Sequence, residues 1–250
     1  MPNKGKQILT VWGSPGSGKT VTALKLAKEL ADQKKNVLLL LCDDICPALP
    51  TIFKSKTPID VSIGEVLTAP NITQEVILRN CVSFDKNPYI SLLGYKAGEN
   101  PFSYAEYKKD RAVDLLVLLR HIADYVVIDC SSMLTESIIS TVALEVADEV
   151  LRLGSCDLKS VSYFRSVLPL LSEPKFNTDK HIKVLSNVRP SQDGEEYKNA
   201  FGGVSYTLPY VQAIDEQNST LTLFESIPGK AAKIYDPVIK SIVKAVFGDE

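Results

Sequence analysis

The stretch Gly13-Ser14-Pro15-Gly16-Ser17-Gly18-Lys19-Thr20 matches the pattern G-x-x-x-x-G-K-[ST] at every fixed position. An apolar, strand-like run at residues 7–12 precedes it, and a helical pattern with Ala23, Leu26, Ala27 and Leu30 on one face follows it. Glycines let a backbone close around a phosphate, and the following helix adds the positive end of its dipole. Strand, loop and helix in this order predict a phosphate-binding loop rather than a simple glycine-rich turn.

The last two residues of this loop have predicted roles of their own. Lys19 is predicted to reach the β- and γ-phosphates of a nucleotide and to act in catalysis, and the Thr20 hydroxyl is predicted to ligate Mg²⁺. The other predicted nucleotide contacts come from the loop and the first turn of the helix: Gly13, Ser14, Pro15, Gly16, Ser17, Gly18 and Val21.

The composition is that of an ordinary globular chain. Of its 250 residues, 45% are hydrophobic and 23% are charged, and the net charge is −2. This size suits one large α/β domain, and we predict a single domain over residues 1–250. No global positive field favours nucleic acid. The polar residues 1–6 lack the apolar core of a signal peptide, so a cytoplasmic location is expected.

The cysteines do not form a metal-binding pattern. They are odd in number and scattered, and no second Cys or His pair accompanies the closest two at metal-ligand spacing. Free thiols in a reducing compartment are the prediction for Cys42, Cys46, Cys81, Cys130 and Cys156.

Strand-like apolar runs alternate with helical patterns along the chain. Strands are predicted at residues 7–12, 37–41, 125–129, 149–153, 182–186 and 204–208, with a short one near 89–93. Helices are predicted at 19–34, 110–122, 135–146, 157–171 and 231–247, with one or two short ones within 62–80. Several strands are apolar throughout, which is typical of parallel strands covered on both faces. The chain therefore predicts an α/β fold, a doubly wound and mostly parallel sheet with helices on both faces.

Acidic residues follow two of these strands. Asp129 ends an apolar strand, and Asp43 and Asp44 come directly after another. Parallel sheets bind ligands at the carboxyl ends of their strands, where an acid is available to hold Mg²⁺ or to orient water. We predict Asp129 as a metal-site residue and Asp43 as a residue of both the metal and the catalytic site. Helix capping and solvated turns are the alternatives.

In this order, the motifs resemble those of the ParA/MinD-type ATPases, the deviant Walker A class of phosphate-loop proteins. The resemblance covers essentially the whole chain and extends to its TadZ/CpaE-like members. After the loop, it is carried by Val37 to Asp43, Leu92 to Gly98, Asp124 to Asp129, Ala147 to Val150, Val184 to Asn187 and Leu208 to Tyr210.

The resemblance implies a set of functional expectations. Mg²⁺ and ATP would be bound, ATP would be hydrolysed slowly, and a homodimer with an unidentified protein partner would position a partition, pilus, secretion or conjugation complex. Residue by residue, it makes Asp43 the acid that positions water and Asp129 the Walker B acid. Asn187 would contact adenine, and Pro209 would lie against the base.

The chain departs from the family pattern at two positions. Ser14 stands where the family has a lysine that reaches the partner's nucleotide, and Leu41 replaces the first acid of an Asp-x-Asp pair. Two other functions therefore remain as alternatives: a degenerate nucleotide-binding scaffold without meaningful turnover, and a small-molecule kinase with Arg189 near its nucleotide. DNA is kept as an alternative partner, and the amphipathic C-terminal helix is expected to pack on the sheet rather than on a membrane.

Overall fold

The strands that the structure describes all lie in one sheet. The computed structural model describes residues 5–55 and 57–248, and its eight strands follow the order β3-β4-β2-β5-β1-β6-β7-β8. Every neighbouring pair is parallel except β3 and β4. The strands are β1 Ile8–Gly13, β2 Val37–Leu41, β3 Val82–Ser83, β4 Ile90–Gly94, β5 Tyr125–Asp129, β6 Glu149–Ser155, β7 Ile182–Val188 and β8 Tyr206–Pro209.

Helices cover both faces of this sheet. They are α1 Lys19–Asp32, α2 Ile63–Thr68, α3 Gln74–Arg79, α4 Lys109–Leu119, α5 Ile138–Val146, α6 Leu158–Val167, α7 Gly194–Ala200, α8 Gln212–Ser219 and α9 Gly229–Phe247. The core on one face includes α1, α8 and α9, and the core on the other includes α2 to α6. Side chains alternate along each strand, so Leu9 and Val11 of β1 enter the first core while Ile8 and Trp12 enter the second.

The predicted doubly wound, mostly parallel architecture is confirmed. The sequence missed β3, α7 and α8, which are short and weakly periodic. The helix predicted at 157–171 ends at Val167 and continues as the 3-10 turn Leu168–Leu171. Pro169 explains this change, because a proline lacks the amide proton that an α-helix needs for its i to i−4 hydrogen bond.

The C-terminal helix α9 packs against α1 and β8, as the sequence favours. Its buried side chains are Tyr235, Ile239, Ile242, Val243 and Val246. The sequence placed Ile234 on the apolar face, yet 57% of its surface is exposed. None of the helices that the structure describes combines the length and apolar character needed to cross a bilayer.

The order of the strands brings the predicted site residues to one edge of the sheet. β1 lies between β5 and β6, and β5 lies between β1 and β2. Asp129, the last residue of β5, pairs in register with Leu41 of β2 and Val11 of β1. The carboxyl ends of three neighbouring strands thus converge beside the loop that leads into α1.

Candidate functional site

The loop between β1 and α1 depends on its glycines. A Cβ atom on Gly13 would lie 2.0 Å from the carbonyl oxygen of Leu153, so only glycine fits there. Gly18 precedes α1 with a left-handed φ of 76°, which glycine adopts without strain. The amide of Ser14 donates to the same Leu153 carbonyl at 3.1 Å, which fixes the start of the loop against β6.

Lys19 points back across the base of this loop. Its Nζ donates to the carbonyl oxygen of Ser14 at 3.3 Å and to the hydroxyl of Ser132 at 2.5 Å. Burial lowers the pKa of Lys19, and the negative charges of Asp129 and Asp43 partly oppose that shift. The ammonium is therefore held at the loop by two oxygen acceptors and two nearby carboxylates.

Thr20 and Asp129 form the second part of the site. The Thr20 hydroxyl donates to Asp129 Oδ2 at 2.6 Å, and only 3% of the Asp129 surface is exposed. Burial raises the pKa of Asp129 to about 6, although the Thr20 hydrogen bond and the Lys19 charge oppose it. Thr20 and Asp129, each predicted from the sequence as a metal-site residue, are therefore neighbours in the structure.

Two buried polar atoms at this site lack a hydrogen-bond partner within residues 5–55 and 57–248. They are Oδ1 of Asp129 and Oγ of Ser17. Buried polar atoms are rarely left unpaired in folded proteins, because each costs about 1–3 kcal/mol. Carboxylate and hydroxyl oxygens are ligands that Mg²⁺ prefers, and Ser17 is a fully buried residue of the loop. The residues present therefore fit a magnesium ion and a phosphate.

Acidic side chains of the segment after β2 lie nearby. Asp43 is close enough to Lys19 and Asp129 to influence the pKa of both. Its Oδ1 accepts from the amides of Ile45 (3.1 Å) and Cys46 (2.8 Å), which leaves Oδ2 without a recorded partner in the described part of the chain. The structure thus brings Asp43 to the site, and its assigned roles in catalysis and metal binding stay predictions.

A cavity of about 280 Å³ lies beside the loop at the ends of β6 and β7. Gly16, Asn187, Arg189 and Tyr210 line it, with Ser155, Cys156, Asp157, Gln192 and Asp215. The Arg189 guanidinium lies 4.7 Å from the centre of the Tyr210 ring. Asn187 has a left-handed φ of 54°. Asn187, which is predicted to contact the nucleotide, therefore lines this cavity.

Three other predicted contacts, Pro209, Val21 and Pro15, do not line this cavity. Pro209 ends β8 in register with Val188, and its neighbour Tyr210 is the residue that lines the cavity. The half-buried Val21 packs against the core that contains α1 and α9. Pro15 is exposed at the tip of the loop.

The side chain of Ser14 is turned inward. Only 1% of its surface is exposed, and its hydroxyl pairs with that of Ser160 at 2.7 Å. Ser160 lies in the first turn of α6, where its hydroxyl also accepts from the amide of Ser155 at 3.1 Å. The position that carries a lysine in the resembled family therefore joins the loop to α6 in this chain.

Sequence reasoning missed several contacts at the site, among them those of Ser160, Tyr163 and Gln192. Tyr163 donates to the carbonyl oxygen of Ser132 at 2.6 Å, and Gln192 donates to that of Cys156 at 2.9 Å. All are polar residues outside any motif, and their bonds to Ser14, Ser132 and Cys156 each join residues at least 31 positions apart in sequence. Only the i, i+3 spacing of Ser160 and Tyr163 places those two on one helix face.

The geometry agrees with comparisons of sequence and fold. A protein-family model described as an AAA domain matches residues 6–184. The chain belongs to this family. Its predicted resemblance to the ParA/MinD-type phosphate-loop ATPases is confirmed. No curated protein sequence matches the chain significantly.

Solved structures of ParA/MinD-type ATPases have the same fold as this chain. The cell division ATPase MinD of Pyrococcus furiosus aligns with a TM-score of 0.73 at 19% identity, over 96% of this chain and 99% of that chain. A ParA family ATPase from Chlorobium tepidum aligns with a TM-score of 0.75 at 17% identity, over 98% of both chains. The septum site-determining protein MinD of Pyrococcus horikoshii, complexed with Mg-ADP, gives 0.71 at 14% identity, over 96% of both chains.

Proposed function

We propose that this ParA/MinD-type protein binds Mg²⁺ and ATP, hydrolyses ATP slowly, and uses the nucleotide as a switch. The observation that carries the proposal is the arrangement of Lys19, Thr20 and Asp129 around a loop with unpaired buried oxygens. Such a loop binds phosphate with its amides and its lysine, and a hydroxyl and a carboxylate complete a magnesium site. The base would occupy the cavity beside Asn187 and Tyr210.

The chemistry proposed is the attack of water on the γ-phosphorus, with ADP as the leaving group. The loop amides and the Lys19 ammonium hold the phosphates and stabilise charge on their oxygens. Thr20 and Asp129 would hold Mg²⁺, which when bound neutralises phosphate charge. The remaining oxygen of Asp43 accepts a hydrogen bond from water and orients it.

Slow hydrolysis of ATP follows from the buried position of the Ser14 side chain. A cation inserted in trans at a transferring phosphoryl group contributes about 10³–10⁵ in rate. Ser14 is buried and bonded to Ser160, so the loop presents no charge to a second subunit at this position. A slowly hydrolysed nucleotide suits a localisation switch better than a metabolic enzyme.

The cellular role is part of the proposal. Similar structures include cell division ATPases and a MinC:MinD complex. By analogy, this protein would act in the cytoplasm as a homodimer that recruits a protein partner and positions a cellular complex. The sequence identity between this chain and those structures is low and supports only a shared fold, so experiments must identify the partner and the process.

Two variants test the proposed reaction by phosphate release. Lys19→Ala is expected to abolish ATP binding, because it removes the cation from the phosphates. Asp43→Ala is expected to keep binding and lose hydrolysis, and Asp44→Ala is its matched control one residue away. Full turnover in Asp43→Ala would contradict the role of Asp43.

A degenerate scaffold is the second candidate, and the inward-facing Ser14 favours it. Such a protein binds nucleotide and acts through its bound form alone. Single-turnover hydrolysis separates the two candidates, because the switch releases phosphate on a measurable timescale and the scaffold does not. The kinase alternative has no comparable support, since Arg189 is engaged with the Tyr210 ring on the base side.

A further inference from the structure

Ser132 is hydrogen-bonded to both ends of the phosphate loop. Its hydroxyl donates to the carbonyl oxygen of Gly13 at 2.9 Å and accepts from the Lys19 ammonium at 2.5 Å. A serine hydroxyl has one proton, so the bond to Gly13 leaves its lone pairs to Lys19. The other acceptor of Lys19 is a loop carbonyl, that of Ser14. Within the described residues, Ser132 thus provides the side-chain acceptor that holds this ammonium.

Two helices fix the segment that carries Ser132. The Ser132 carbonyl oxygen accepts from the hydroxyl of Tyr163 on α6, at 2.6 Å. The amide of Ser131 donates to the hydroxyl of Ser140 on α5, at 3.0 Å, and Ser140 is fully buried. With its backbone held from both sides, Ser132 is restrained from following Lys19 when the ammonium turns to another acceptor.

The Lys19 ammonium has three protons, and its bonds to Ser14 and Ser132 leave one of them free. Contact with both the β- and the γ-phosphate takes two protons, so the phosphates and the Ser132 hydroxyl compete for one of them. Hydrogen bonds between two charged groups are shorter and stronger than those with a neutral partner, so phosphate displaces the hydroxyl. The Lys19–Ser132 bond is nevertheless lost or weakened on binding, and this loss subtracts from the affinity. The Ser132 hydroxyl therefore competes with the phosphates of the nucleotide for the Lys19 ammonium.

The inference rests on the proposed function and deepens it. We propose that Ser132 is a positioning residue that lowers the affinity of the loop for a nucleoside triphosphate by holding Lys19, and that Tyr163 keeps Ser132 in place to do so. The two helix contacts make this restraint adjustable, because any ligand that draws Tyr163 away from Ser132 frees Lys19. By linkage, nucleotide binding then favours the conformation in which the Tyr163 bond is broken.

Removal of the Ser132 hydroxyl tests the proposal, because the proposal predicts a gain in nucleotide affinity rather than a loss. We expect Ser132→Ala to bind Mg·AMPPNP about tenfold more tightly in calorimetric titration, the order of one hydrogen bond to a charged group. Ser132→Cys keeps the size of the side chain with a weak acceptor and should also bind more tightly, whereas Ser132→Thr keeps the hydroxyl and should resemble the parent. Weaker or unchanged binding in both the alanine and cysteine variants overturns the proposal.

A double-mutant cycle tests the role of Tyr163. We expect Tyr163→Phe to tighten binding by less than Ser132→Ala, and the double variant to match Ser132→Ala alone, because the tyrosine acts through the serine. Additive effects would contradict this. Tyr197→Phe is the matched control, since Tyr197 lines the same surface beside Pro15 and its hydroxyl has no recorded bond in the described chain.

The single tryptophan reports on the same contact. The Trp12 ring lies 6.4 Å from that of Tyr163, so a shift of Tyr163 changes the surroundings of Trp12. We expect Mg·AMPPNP to alter Trp12 emission in the parent and to alter it less in Tyr163→Phe at saturation. Equal changes in both proteins would show that Tyr163 does not respond.

The outcomes separate this inference from the proposed function. If the parent fails to bind Mg·AMPPNP, or if binding survives in Lys19→Ala, the proposed function fails. If the parent binds through Lys19 and the Ser132 variants gain no affinity, the inference alone fails.

Discussion

The indole N–H of Trp12 donates to Nδ1 of His181 at 3.4 Å, which requires that nitrogen to be unprotonated. The opposite ring nitrogen, Nε2, lies 2.8 Å from the carbonyl oxygen of Phe176 and carries the proton. The two rings meet edge to face, with centres 5.9 Å apart. His181 is thus a neutral, fully partnered core residue, and the charged form would turn two donors toward each other.

This pairing gives the protein an acid-sensitive core. Burial lowers the pKa of His181 to about 4 from the ordinary value of 6.5. A depressed histidine pKa contributes stability that is complete above pH 6.5 and is lost as the pH falls toward and through 4, here about 3 kcal/mol in full. We expect denaturation at a series of pH values to show this loss, and His181→Gln to flatten it.

The exposed His121 provides the control, because His121→Gln removes an imidazole that lies outside the core. Trp12 emission should fall over the same acidic range, since a protonated imidazole quenches an adjacent indole. An unaltered profile in His181→Gln would contradict the assignment.

Gly13→Ala should be more damaging than Gly16→Ala. An alanine Cβ at Gly13 collides with the Leu153 carbonyl, so we expect a loss of about 2 kcal/mol or more in the free energy of unfolding. Gly16 also has a positive φ, of 73°, but nothing lies within 4 Å of its Cβ position, so its alanine costs only backbone strain of about 1 kcal/mol. Urea denaturation distinguishes the two variants. Equal losses in the free energy of unfolding would show that β6 shifts to accommodate the added Cβ atom at Gly13.

Lys25 joins α1 to α8 and to the segment that follows α8. Its Nζ donates to Oε1 of Gln217 (2.7 Å) and to the carbonyl oxygens of Leu223 (2.6 Å) and Glu225 (3.0 Å). Lys25→Met would leave Oε1 of Gln217 and the carbonyl oxygen of Leu223 unpaired, whereas the Glu225 carbonyl keeps its bond from Nε2 of Gln217 at 3.2 Å. We expect this variant to lower the free energy of unfolding by about 2–4 kcal/mol. Lys28→Met, which removes only an i, i+4 ion pair with Asp32, should cost less than about 0.5 kcal/mol. Similar losses of stability in the Lys25 and Lys28 variants would contradict the structural role of Lys25.

Asp129→Asn should separate stability from metal binding. The carboxylate of Asp129 is almost wholly buried and one of its oxygens has no partner in the described chain, so its charge is costly in the absence of a cation. We expect the asparagine variant to be more stable than the parent by about 1–3 kcal/mol without magnesium. Addition of Mg²⁺ and nucleotide should raise the melting temperature of the parent and not that of the variant. A magnesium response retained in Asp129→Asn would contradict the metal site.

The sequence predicted the parts of the fold that rest on long apolar patterns. The run before Gly13 and the helix face at Ala23 to Leu30 are buried as expected, because periodicity reports burial directly. It failed for α7 and α8, whose seven and eight residues bury few apolar side chains. Short polar helices are fixed by caps and tertiary contacts, which a periodic pattern does not reveal.

The site divides in the same way. Glycine, lysine and threonine in the loop could be predicted because phosphate chemistry constrains both their types and their spacing. The contacts of Ser14 with Ser160 and of Ser132 with Lys19 could not, because each joins residues more than 100 positions apart through hydroxyls that belong to no motif. The single-domain assignment, homodimerisation and the TadZ/CpaE-like subgroup stay predictions, and DNA stays an alternative partner.

Calorimetric titration with Mg·AMPPNP tests the central claim most directly, with the parent protein compared with Lys19→Ala and with an EDTA-treated parent. We expect one nucleotide per chain to bind the parent, affinity to fall when magnesium is removed, and no measurable binding to Lys19→Ala. Equal binding of the nucleotide to the parent and to Lys19→Ala, or no binding to either, would contradict the account.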